Sequence, residues 1–198
     1  MIVRQTPKFV IGIDEVGRGP IAGPVAVCAF LWKDRETLPP YGIKDSKKLS
    51  PQKREEWFRQ VQIWKRESRV TYAVSFVSAQ TIDRIGITKS ITRALVESLR
   101  KLEIEPENVE VLLDGGLRAP HEFHIQKTII RGDEKEPVIA LASIVAKVLR
   151  DKMMERFAMK YPLYGFEEHK GYGTHTHYRA IKKHGMSPLH RVSFLQNR

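Results

Sequence analysis

Apolar residues follow two rhythms along this chain. Short β-branched runs read as strands, and repeats of three and four read as helices. Phe9, Val10, Ile11 and Ile13 form the first run, which ends in Asp14 and Glu15 and then Gly17-Arg18-Gly19-Pro20. Val25 to Trp32 is the second, and the tight Gly-Pro connection predicts that the two pair antiparallel. Ser50 before Pro51 marks a helix start, with Trp57, Val61 and Trp64 on its inner face. Arg69 to Val77 reads as a third strand and Ser78 to Ile85 as a short helix stopped by Gly86. Thr88 is expected to cap the next helix, with Ile91, Leu95, Leu99 and Leu102 inward and Pro106 at its end. Val109 to Leu113 is a fourth strand that delivers Asp114 before Gly115-Gly116. A fifth lies within His121 to Ile130, and Arg131-Gly132-Asp133 is the turn after it. Pro137 to about Tyr161 reads as a long helix with Ile139, Ala142, Ala146, Leu149 and Met153 inward. From Tyr164 the chain turns to Gly, His, Lys and Tyr, with a short helix expected around His177 to Lys183.

Three strands, then helices alternating with two more, predict an α/β fold: a five-stranded mixed sheet flanked by helices, with a short helical C-terminal extension. The expected division is a body over residues 1–163 and an extension over 164–198.

Charge narrows the class. Across 198 residues the formal net charge is +11, a positive field suited to a polyanionic partner such as nucleic acid, though it also serves solubility. The one cysteine, Cys28, sits in an apolar run and suits core packing; a lone cysteine fits a reducing compartment. No stretch has the make-up of a signal peptide or a membrane span, so a cytoplasmic protein is expected, and a monomer.

The first strand carries the chemistry. Neighbouring strand residues point to opposite faces, so Asp14 and Glu15 cannot both reach solvent cheaply. They repel each other unless a cation intervenes, and the following glycines leave backbone open to a phosphodiester. Two solvated acids at a strand end is the plain alternative. Asp114 repeats the pattern: an apolar strand, a carboxylate, then glycine. Asp151, beside Arg150, reads better as half of a structural charge pair than as a further acid of such a site. His169, His175 and His177 lack the further ligands that a closed zinc site wants. Lys44, Lys47, Lys48 and Lys170 are candidates for phosphate contact.

Five segments in order, IDEVGRGPIAGPV, DSKKLS, LLDGG, RGD before ASIVAKVLRD, and YGFEEHKGYGT, resemble bacterial ribonuclease HII from about Ile11 to Ser193. The resemblance implies a ribonuclease H-like fold with four catalytic, metal-binding carboxylates: Asp14, Glu15, Asp114 and Asp133. Such oxygen ligands suit Mg²⁺ or Mn²⁺. It implies an endoribonuclease that uses two metal ions to cut 5′ of ribonucleotides in DNA duplexes and RNA–DNA hybrids, with a role in ribonucleotide removal. The cut would leave a 3′-OH and a 5′-phosphate. It also implies that the backbone of Gly17, Arg18 and Gly19 reads the 2′-OH, and that Tyr172 packs against the next sugar. Ribonuclease HIII shares the glycine-arginine-glycine segment but carries an N-terminal substrate-binding domain, for which the first carboxylate at residue 14 leaves no room. A non-catalytic basic module on the same fold would have little use for four acids that repel phosphate.

Overall fold

A computed structural model describes residues 7–37, 43 and 49–196. Strands β1 (Phe9–Val16), β2 (Val25–Trp32), β3 (Val70–Val77), β4 (Val109–Asp114) and β5 (Gln126–Ile129) form one sheet in the order β3-β2-β1-β4-β5. β1 pairs antiparallel with β2 and parallel with β4, so the sheet changes sense along its central strand. Strand alternation then splits the core in two. Val10 and Val16 face one side with Cys28, Phe30 and Trp32; Ile11 and Ile13 face the other with Val27, Ala29 and Leu31.

The first side is covered by α1 (Pro51–Arg66) and α5 (Pro137–Lys160), the second by α2 (Ala79–Ile85) and α3 (Ile87–Arg100). α5 lies directly over β1 because position 12 is glycine: a Cβ there would stand 2.2 Å from the Val138 carbonyl oxygen. That close crossing buries every residue of α5 from Pro137 to Ala146. Short helices follow: α4 (Gly132–Lys135) precedes α5, and α6 (Phe166–His169), α7 (His175–His184) and α8 (Val192–Leu195) come after it. Tyr164 and Phe166 pack with Met154, Ala158 and Ala22, which seats the tail on the end of α5 and the β1–β2 loop.

Most expected elements are present, with four corrections. α3 starts at Ile87, one residue before Thr88, with Gly86 at the cap position and no side-chain cap; instead the Ser90 hydroxyl donates to the Gly86 carbonyl at 2.8 Å. α3 ends at Arg100, well before Pro106, which opens a 3-10 turn leading into β4. In α1 Phe58 is buried beside Val61 and Trp64, and Trp57 only half so. In α5 the inward stripe runs Ala146, Arg150, Met154, Ala158, while Leu149 and Met153 are only half-buried. The 3.6-residue period drifts relative to a strict repeat, and the tail offers a second surface on that face.

Candidate active site and its recognition loops

β1 delivers Asp14 on the α5 face, where it is 2 % exposed. Its Oδ1 accepts from the Glu15 backbone N–H at 2.7 Å, and its Oδ2 is buried without a hydrogen-bond partner. Burial pushes the Asp14 carboxyl up to about 8, partly offset by the nearby Ser143 hydroxyl of α5. The charges of Glu15, Asp114 and Asp133 push the same way as burial. Glu15 lies on the opposite face and is half-buried; desolvation raises its pKa, against the pull of Arg18, whose Nε donates to Oε1 at 3.0 Å.

Asp114 ends β4, the parallel neighbour of β1, one residue past the Ile13–Leu113 pair. Its Oδ1 accepts from the Gly132 N–H at 2.7 Å, which ties the segment after β5 to the site. Asp133, next in the chain and in the first turn of α4, is 5 % exposed. The four acids thus share one electrostatic neighbourhood, although among the described residues no three His, Cys, Asp or Glu side chains converge as a formed metal cage. Asp151 forms a charge pair, but with Lys147 at 2.8 Å and not with its neighbour Arg150, which points elsewhere.

The loop after β1 is held from behind by two arginines. Gly17 has φ +96°, and a Cβ there would meet Arg150 Nε at 2.3 Å. Arg191 donates to the carbonyls of Gly17 (Nη2, 2.7 Å), Arg18 (Nη1, 3.0 Å) and Gly23 (Nε, 3.0 Å). Arg150 donates to the carbonyls of Pro24 (2.9 Å), Ala22 (3.4 Å) and Lys170 (3.0 Å). Both guanidiniums are fully buried. Desolvation lowers the pKa of Arg150, and lowers Arg191 to about 9, where the charge of Arg150 adds to the effect.

Tyr172 is 46 % exposed on a turn that docks against the same loop. The Gly171 carbonyl accepts from the N–H groups of Ile21 (2.9 Å) and Ala22 (3.2 Å). Gly171 is required by that approach, since a Cβ would lie 2.3 Å from the Ala22 oxygen. Behind the turn the histidines form a chain. The Ser187 N–H reaches His190 Nδ1 at 2.8 Å, so His190 carries its proton on Nε2 and gives it to His177 Nε2 at 3.0 Å. His177 Nδ1–H is then left to donate to the Tyr172 carbonyl at 2.9 Å. Burial lowers the pKa of His190 and drops His177 to about 4, so both rings are neutral near pH 7. His169 stacks on His177 with ring centroids 4.2 Å apart, whereas His175 is exposed.

Of the lysines, Lys170 is engaged by Glu155 at 2.7 Å, and Lys44, Lys47 and Lys48 lie outside the described residues. Arg18 and Arg118 line a groove of about 230 Å³ with Thr88, Thr92 and Gly116. Sequence reasoning missed Ser143, Arg150, His190 and Arg191. Arg150 had a signal: it sits four residues from Ala146 and from Met154, on the inward stripe.

The model of the family described as Ribonuclease HII matches residues 11–197. A ribonuclease HII of Caldicellulosiruptor bescii is 42% identical over 196 residues, 99% of this chain and 91% of that one. One from Endomicrobium trichonymphae is 45% identical over 185 residues, 93% of this chain and 84% of its own. Among solved structures, the ribonuclease HII in the PCNA complex from Archaeoglobus fulgidus superposes with a TM-score of 0.74 at 27% identity, covering 93% of this chain and 94% of that one. Bst-RNase HIII in complex with Mn²⁺ shares the fold, with a TM-score of 0.68 at 20% identity over 93% of this chain and 66% of that one.

Proposed function

From the premise that the chain belongs to the ribonuclease HII family, and is therefore an endoribonuclease acting on RNA–DNA, we propose how its residues divide the work. The reaction is hydrolysis of the phosphodiester on the 5′ side of a ribonucleotide, in a DNA duplex or an RNA–DNA hybrid. A water oxygen bonds to phosphorus as the P–O3′ bond breaks, leaving a 3′-OH and a 5′-phosphate.

Asp14, Glu15, Asp114 and Asp133 are the catalytic carboxylates and hold Mg²⁺ or Mn²⁺. The observation that carries this is Asp14 itself: a buried oxygen without a partner, on a carboxyl held near 8 beside three other acids. Such a group is unfavourable unless a cation meets it, and an all-oxygen donor set fits a hard divalent ion. Two such ions, when bound, would supply positive charge for the attacking water and the leaving oxygen. Ser143 keeps Asp14 oriented, and Gly132 does the same for Asp114.

The Gly17–Arg18–Gly19 backbone meets the 2′-OH, the group that separates RNA from DNA. Tyr172 lays its exposed ring against the following sugar, so residues 164–198 serve substrate recognition. Arg18 and Arg118 approach phosphates along their groove. The test uses a labelled duplex holding one ribonucleotide. Cleavage should require Mg²⁺ or Mn²⁺, stop with chelator, and fall on the 5′ side of the ribonucleotide; metal-independent cutting would remove the carboxylates from the proposal.

A further inference from the structure

Arg150 and Arg191 are an expensive way to build a core. Each buries a full charge, and neither makes an ion pair among the described residues; their six hydrogen bonds all go to backbone carbonyls. Removing a charge from water costs several kcal/mol even after the protein relaxes, and well-packed apolar side chains often serve stability better. The carbonyls chosen are those of the β1–β2 loop and of Lys170, two residues before Tyr172.

We propose that Arg191 is a positioning residue for ribose recognition, turning the peptide units of the Gly17–Arg18–Gly19 loop so that their N–H groups face the substrate. This deepens the reading of that loop given above and rests on it. A trans peptide is planar, with its C=O and N–H on opposite sides. Arg191 draws the Gly17 and Arg18 carbonyls inward, so the N–H groups of Arg18 and Gly19 are turned outward. Arg18 and Gly19 are exposed, and among the described residues neither N–H has a hydrogen-bond partner. The guanidinium fork can hold two adjacent carbonyls at fixed angles, as a single ammonium cannot. Arg150 links the loop to the turn of Tyr172, so the two recognition elements move as one piece.

The test compares Arg191→Lys, Gly19→Ala and the parent protein. Binding is measured without divalent ion, on duplexes that differ by one 2′-OH, and turnover is measured on the ribonucleotide duplex. Arg191→Lys keeps the charge and loses the fork. Its preference for ribose over deoxyribose should collapse and kcat should fall on the order of 10²-fold with KM little changed. A lower melting temperature with an unchanged preference would reduce Arg191 to a structural role and overturn the proposal. Gly19→Ala tests the loop reading itself, because a Cβ there meets nothing within 4 Å and the fold should tolerate it. If Gly19→Ala keeps full preference, the loop does not read ribose; if it loses preference while Arg191→Lys does not, only the role of Arg191 fails. Should Arg191→Lys not fold, amide exchange in the parent protein decides. The N–H groups of Arg18 and Gly19 should become protected with the ribose duplex and not with all-DNA, and equal exchange in both would sink the orientation argument.

Discussion

The carboxylates at the end of β1 and the buried arginines and histidines behind the β1–β2 loop follow opposite rules. On the carboxylate side, Asp14 keeps a buried oxygen without a partner and three acids press on it. On the far side, the donors of Arg150 and Arg191 have found carbonyls and the histidine chain uses each ring nitrogen in turn. On the reading proposed above the carboxylate side is completed by a divalent ion, whereas on the far side charge is satisfied internally and fixes shape. A site built this way trades stability for affinity only where a ligand will restore it.

The largest effect should come from the unsatisfied side. Asp14→Asn and Asp114→Asn retain shape, and on the proposed reading each removes an anionic metal ligand. Turnover should drop on the order of 10³-fold, as expected when several kcal/mol of metal-assisted stabilisation is lost. Duplex binding in low salt should persist or tighten. Near-normal single-turnover rates in either variant would break the comparison.

Next is the satisfied side. Arg150→Leu leaves the carbonyls of Ala22, Pro24 and Lys170 without a donor and should destabilise the fold by about 3 kcal/mol, read as a lower urea midpoint. An unchanged midpoint would mean that water satisfies those carbonyls as well as the guanidinium does.

The two sides should also answer pH in opposite senses. In metal-free protein the Asp14 carboxyl holds a proton up to about 8 that the unfolded chain releases near 3.8. Its contribution to stability therefore falls as pH rises through that window, by about 1.4 kcal/mol per pH unit. His177 binds its proton near 4 when folded and near 6.5 when unfolded, so its contribution is complete above 6.5 and is lost as pH falls towards 4. The two slopes oppose each other between 4 and 6.5. Between 6.5 and 8 only the Asp14 slope remains, and metal-free stability should decline; Asp14→Asn should flatten that decline. Urea melts at pH 6.5 and 8 for both proteins measure it, and a decline equal in the two would assign it elsewhere.

Tyr172→Ala should leave the fold intact and reduce cleavage of a single-ribonucleotide duplex more than cleavage of a long hybrid, by up to about 10²-fold. Tyr172→Phe should lose far less if the ring face is what matters, and an unchanged ratio in the Ala variant would return the residue to the surface. The smallest effect expected is that of Arg118→Ala, which should lessen the slope of log affinity against log salt by about 0.9.

Much of this was legible in the sequence because it is local. Strand runs, the Ser50-Pro51 start and the carboxylates at Asp14 and Asp114 are set by neighbours within a few residues. What escaped is long-range. Nothing near Arg191 signals that its partners are Gly17, Arg18 and Gly23, more than 160 residues earlier. His190 likewise gains meaning only once the fold brings it to His177. Thr88 misled for a local reason: hydroxyl residues suit caps, yet here the chain enters the helix through Gly86 at φ +81°.

The span between Gly17 and Arg191 also has a meaning in time. The loop is synthesised early, and the side chain that shapes it leaves the ribosome 174 residues later. At the usual pace of translation that interval is roughly 10 to 30 seconds. Throughout it the nascent chain holds Asp14, Glu15 and eventually Asp114, Asp133 and Arg150, but the Gly17 and Arg18 carbonyls lack the Arg191 fork that draws them inward. On this account an unfinished copy assembles its acids first and acquires its discrimination between ribose and deoxyribose last.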